Sequence, residues 1–66
     1  MAAPKSLARI KRDPRVTDAW DEGDDGYWAD LAPGYVSADD TTTLHEHTIK
    51  DLRAALAMVR RREDEA

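Results

Sequence analysis

Cysteine is absent from these 66 residues, and so is phenylalanine. Without cysteine, neither a disulfide framework nor a thiolate metal site can staple the chain, and a reducing, cytoplasmic setting is the natural expectation. Long apolar runs are missing near the N-terminus, where Lys5, Arg9, Lys11 and Arg12 interrupt short apolar stretches, so neither a signal h-region nor a membrane span is expected there. Length is limiting too. Sixty-six residues make one domain at most, close to the lower bound for an unaided core, with little room for an enzyme-sized cleft.

The most informative scarcity is that of positive charge in the middle of the chain. Residues 1–15 carry a net +4 and residues 47–66 a net +1. Between them, the 31 residues from Val16 to Glu46 hold Asp18, Asp21, Glu22, Asp24, Asp25, Asp30, Asp39, Asp40 and Glu46 with no lysine or arginine, a net −9. Ordinary surfaces intersperse both signs. Two readings of this block stand side by side. Either acidic loops keep a small protein in solution, or the block is a surface for a basic partner, whose approach the same field would steer.

Local patterns give the elements. Residues 1–13 contain Pro4, scattered charges and only Leu7 and Ile10 as large apolar groups, too few to anchor a helix alone, so a mobile basic arm is expected. A single domain over residues 14–62 and a frayed acidic tail over 63–66 complete the layout. Asp13-Pro14 disfavours helix and leads into a strand over Arg15 to Asp21. Its faces are ambiguous, because an alternation that turns Val16 and Trp20 inward takes Asp18 in as well unless a bulge or an exposed edge intervenes.

Glu22-Gly23-Asp24-Asp25-Gly26 is a turn by composition and joins that strand to a second over Tyr27 to Leu31. Period-two alternation there puts Tyr27, Ala29 and Leu31 toward the core and Trp28 and Asp30 outward. Pro33-Gly34 suits the centre of a type II turn, Tyr35-Val36 extends briefly, and the polar loop Ser37 to Thr42 leads to a short third strand over Thr43 to Glu46. Thr48-Ile49-Lys50-Asp51 resembles a capping box, and Ile49, Leu52, Leu56 and Val59, with Ala55, make one amphipathic helix that ends on Arg60, Arg61 and Arg62. The expected fold class is α+β, a small antiparallel sheet of two or three strands with one C-terminal amphipathic helix packed on it.

Candidate chemistry is sparse. His45-Glu46-His47 presents two imidazoles at strand spacing, but two ligands do not make a metal site, the H-E-x-x-H spacing is absent, and local hydrogen bonding at a strand-to-helix junction accounts for them equally. Asp24-Asp25 and Asp39-Asp40 lie in turns, where carboxylates stay solvated rather than forming an acid/base pair. No nucleophile elbow or phosphate-binding glycine loop occurs. No enzyme activity, cofactor or metal is therefore expected. Trp20, Trp28, Tyr27 and Tyr35 would make most of the core, with Trp28 as the outward exception and a binding hot spot beside Asp30. The basic arm lacks a reading motif, so direct nucleic-acid binding is not expected.

The string Asp25-Gly26-Tyr27-Trp28-Ala29-Asp30-Leu31-Ala32-Pro33-Gly34-Tyr35, followed by His45-Glu46-His47-Thr48 and by Asp51-Leu52, resembles small uncharacterised proteins of proteobacterial prophages and mobile elements. Their pattern is roughly D-G-x-W-x-x-L-x-P-G-[YW], a variable loop, then H-E-x-T-x-x-D, and the resemblance spans about Asp13 to Val59. It implies a setting in which small acidic phage proteins, anti-CRISPR proteins among them, block host nucleic-acid machinery in the cytoplasm of a bacterial cell. The expectation is a stoichiometric inhibitor that mimics nucleic acid in the basic groove of a complex such as a CRISPR effector. Its contact set would be Asp18, Asp21, Glu22, Asp24, Asp25, Trp28, Asp30, Asp39 and Asp40. The alternative is an interaction module that dimerises through the C-terminal helix along Ala54, Ala57 and Met58.

Overall fold

The computed structural model describes residues 3–62, with side chains described from Leu7 onward; the acidic tail expected over 63–66 lies outside the described residues. The elements are α1 (Ala3–Lys11), β1 (Val16–Asp21), β2 (Tyr27–Leu31), β3 (Tyr35–Val36), β4 (Thr43–Glu46), α2 (Ile49–Ala57) and β5 (Arg60–Arg61). Strands β1, β2 and β4 form an antiparallel sheet in the order β1-β2-β4, and β3 pairs with β5 in a second, two-stranded sheet. The fold class is α+β, as the alternation and the helical stripe require.

Residues 3–11 are helical where the sequence suggested a mobile arm. Leu7 and Ile10 are too few to stabilise an isolated helix, but they fall one turn apart on one face and dock on the core, where Ile10 is 3% exposed. Tertiary burial thus supplies what local propensity lacks. Pro4 is tolerated because it sits in the first turn.

The core is aliphatic. Ile10, Val16, Ala19, Ala29, Leu31, Leu44, Leu52 and Leu56 are buried together, with Tyr27, Tyr35, Ile49 and Val59 packed around them. Both helices therefore cover one face of the three-stranded sheet, and among the described residues no helix covers the other, open face. Neither tryptophan belongs to the buried cluster, which corrects the expectation of an aromatic core.

Two local features follow the sequence closely. Gly34 has φ +93° and the Tyr35 N–H donates to the Ala32 carbonyl at 3.1 Å, the arrangement a type II turn at Pro33-Gly34 demands. Thr48 caps α2, its Oγ1 accepting from the Asp51 N–H at 3.0 Å.

The end of α2 departs from expectation. The helix stops at Ala57, and Arg60–Arg61 pair antiparallel with Tyr35–Val36 instead of completing a last turn. Arg15 contributes to that stop, because its Nη1 donates to the Leu56 carbonyl at 3.1 Å while Nε and Nη2 grip Asp13 at 2.9 and 2.7 Å. One guanidinium thereby ties the exit of α1, the start of β1 and the C-terminal turn of α2. The side-chain bond from Arg15 holds the Asp13 carboxyl below its ordinary value, and Asp13 in turn raises the Arg15 pKa.

Candidate functional site

The open sheet face is built by a bulge. Pairing of β1 with β2 runs Val16 to Leu31 and then Asp18 to Asp30, so Thr17 is the extra residue. Its Oγ1 donates to the Asp30 carbonyl at 3.3 Å. The bulge shifts the parity of everything that follows in β1. Val16 and Ala19 both face the core, whereas Asp18 and Trp20 face outward. The sequence ambiguity at Asp18 is resolved by this one residue, which lets Val16 enter the core without taking Asp18 with it.

Outward side chains then meet across the strands in two rows. Trp20 lies opposite Trp28, and Trp28 opposite His45. Their rings form a parallel ladder, with centroids 6.3 Å apart and planes within 7° for Trp20 and Trp28, and 3.9 Å and 7° for Trp28 and His45. Hydrogen bonds hold both ends of the ladder. Trp20 Nε1–H donates to Glu22 Oε2 at 2.7 Å, and His45 Nε2 bonds the Asp25 carbonyl, which as a pure acceptor places the imidazole proton on Nε2. Trp28, expected outward as a free-standing hot spot, is outward but half-buried by its two ring neighbours.

The second row is Asp18, Asp30 and Thr43. Thr43 Oγ1 donates to Asp30 Oδ1 at 3.3 Å, and the Ala19 N–H donates to Asp18 Oδ1 at 2.9 Å. Two carboxylates directly opposite on an antiparallel pair repel each other, a cost on the order of 0.2–1 kcal/mol with no packing return. No lysine or arginine occurs in β1, β2 or β4. Arg62 borders a hollow beside Asp30, Thr17 and Thr43 at the far end of the face.

The remaining acidic residues divide between the two ends of the sheet. Asp21, Glu22, Asp24 and Asp25 gather at the β1–β2 turn, where Asp21 Oδ1 accepts from the Gly23 N–H at 2.8 Å. Asp39 and Asp40 lie at the other end, in the loop organised by the buried Ser37, whose Oγ accepts from the Asp39 and Thr41 N–H groups. Asp40, at φ +67°, is ion-paired with Arg60. The structure thus brings Asp18, Glu22, Trp28 and Asp30 to one face, sets Asp21, Asp24 and Asp25 at its turn end, and separates Asp39 and Asp40 from both.

Sequence reasoning missed Trp20 and His45 as members of this face. The signal for His45 was its outward parity opposite Trp28 once the hairpin pairs in register; Trp20 was hidden by the bulge. His47 is exposed beyond the end of β4, and among the described residues no group of three or more metal-ligating side chains assembles around the two histidines. No helix among the described residues is long and apolar enough to cross a membrane.

These features define a two-layer α+β protein that keeps one sheet face uncovered and furnishes it with stacked rings and carboxylates. No protein-family model, curated protein or solved structure matches the chain.

Proposed function

We propose that this chain is a non-catalytic binding protein whose open sheet face and adjoining acidic turn engage a basic surface of another protein, one that otherwise receives the phosphates of a nucleic acid. The observation that carries this reading is the cross-strand opposition of Asp18 and Asp30 beside the Trp20–Trp28–His45 ladder. Like charges held face to face on an ordered sheet weaken folding, so a role outside folding accounts for them better than solubility, which dispersed charges serve without that cost. Stacked rings supply contact area at low entropic cost, and tryptophan is among the residues most enriched at binding hot spots.

The specific form of the proposal is a nucleic-acid mimic that blocks a basic groove, with a CRISPR effector complex as the candidate partner. It is tested by target-DNA binding of such a complex with and without the chain. Inhibition should fall steeply as salt is raised, and Asp18→Lys with Asp30→Lys should abolish it while the fold persists. Undiminished inhibition by that folded variant refutes the mimicry. A second reading, self-association through α2, draws on Met58, which is 62% exposed with Ala54 and Ala57 also exposed. Light scattering separates the two, since a stable dimer lost on Met58→Lys would favour the helix.

A further inference from the structure

The bulge at Thr17 leaves Asp18 and Trp20 two apart on the outward side of β1, and Glu22 continues the same spacing past the strand end. The ladder is still in register there, because the Glu22 N–H donates to the Gly26 carbonyl at 2.7 Å. Strand β1 is an edge of the three-stranded sheet. The Trp20 indole therefore stacks on Trp28 with one face, while its other face points past the edge, where no further strand of that sheet lies among the described residues. The bond from Nε1–H to Glu22 Oε2 fixes the ring and parks a carboxylate at its rim. Carboxylate, indole and carboxylate thus line one edge at alternate positions.

That arrangement has one well-matched ligand chemistry. A planar cation is attracted to the indole face and, lying on it, can direct N–H groups sideways to carboxylates at the rim. The guanidinium of arginine does both at once, whereas a lysine ammonium is a compact point charge that satisfies one or the other. A nucleobase could stack on the same face, but its phosphates would meet Asp18 and Glu22. An apolar side chain would leave both carboxylates to be desolvated without partners.

We propose that the outer face of Trp20, with Asp18 and Glu22, is the receptor for an arginine side chain carried on an extended basic segment of the partner protein. The proposal rests on the reading of this face as a contact surface for a basic protein, and it specifies which cation is selected. Trp28 and His45 back the platform and keep the ring planes parallel.

The test uses the whole ¹⁵N-labelled chain titrated with blocked tetra-arginine and tetra-lysine peptides of equal length, following the Trp20 Nε1–H resonance. The expected result is movement of that resonance and an affinity for the arginine peptide about threefold or more above that for lysine, the size expected of a cation–π contact at an exposed site. Trp20→Leu should equalise the two peptides and Trp20→Phe should keep part of the difference, with the amide spectrum reporting the fold. Asp18→Asn and Glu22→Gln should weaken both peptides. Equal affinities in the unaltered chain, or an arginine preference that survives Trp20→Leu, overturns the arginine site. If the peptides bind equally yet both are weakened by Asp18→Asn, the basic-partner reading stands and only the arginine site fails. If neither peptide is weakened, both fail. Tighter binding of an oligothymidylate than of tetra-arginine at the same resonance also overturns the proposal.

Discussion

Replacing Asp18 by asparagine should make the protein more stable while weakening its hold on a cationic ligand. Asp18 is the member of the Asp18–Asp30 pair to change, because asparagine retains the Oδ1 that accepts from the Ala19 N–H, whereas Asp30 also receives Thr43 Oγ1 and borders the hollow lined by Arg62. Directly opposed residues on an antiparallel pair have Cβ atoms about 5 Å apart, which sets the carboxylates at about 6 Å. At that distance two unit charges in water-like surroundings repel by about 0.7 kcal/mol, and screening at physiological ionic strength roughly halves it. A gain of about 0.35 kcal/mol in a domain of this size raises Tm by about 1.5–3 °C.

Thermal and urea unfolding of Asp18→Asn, Asp30→Asn and the double variant measure it. The gain from Asp18→Asn should vanish in the Asp30→Asn background and in about 1 M salt, where the Debye length falls to about 3 Å. A variant that is less stable, or a gain that persists in high salt and without Asp30, would refute the repulsion and with it the main reason for assigning this face a role outside folding.

Other consequences follow from single contacts. Gly26 and Gly34 both have positive φ, but a Cβ on Gly26 would sit 2.4 Å from the Glu46 carbonyl oxygen and 3.0 Å from His47 Cα, while Gly34 has open space. Gly34→Ala should cost about 1 kcal/mol in urea unfolding and Gly26→Ala about 3 kcal/mol or more, detaching β4 from the β1–β2 turn. Thr48→Ala, which removes the acceptor for the Asp51 N–H, should cost about 1 kcal/mol by the same assay, and Thr48→Ser should restore most of it. Because Arg15 holds the Asp13 carboxyl below its ordinary value of 3.8, that pair stabilises the fold fully above this pH and loses its contribution as acid protonates Asp13. Asp13→Asn should therefore be less stable at neutral pH, and its deficit should close as pH falls below about 4; a deficit independent of pH would assign Asp13 a purely steric role.

What was legible in the sequence was local. The hairpin around Gly23 and Gly26, the turn at Pro33-Gly34, the strand Thr43 to Glu46 and the Thr48 cap each rest on a few adjacent residues whose backbone preferences agree with their place in the fold. Missed features depend on partners far along the chain. Helix α1 exists because Ile10 reaches a core made mostly by residues 16–56, and α2 ends early where Arg15, 41 residues away, meets the Leu56 carbonyl and where Arg60 and Arg61 find β3. Composition located the acidic block but could not apportion it, since the turn between Ser37 and Thr41 carries Asp39 and Asp40 to the opposite end of the sheet from Asp24 and Asp25.

The least legible feature is the one on which the candidate site depends. Regular alternation through β1 would put Trp20 on the same side as Val16, and the chain would then have a tryptophan in its core and an aspartate beside it. One extra residue at Thr17 avoids that conflict: Val16 and Ala19 go in, and Asp18, Trp20 and Glu22 come out along an edge. The small side chains at Ala19 and Ala29, both essentially unexposed, fit the same solution, because they let the helices approach a sheet whose large rings lie on its far side. A core of alanine and aliphatic residues therefore lies under an outward face on which both tryptophans stay partly buried. Their place on the outward side, stacked in order beside the opposed Asp18 and Asp30, is the arrangement on which the proposed binding role draws.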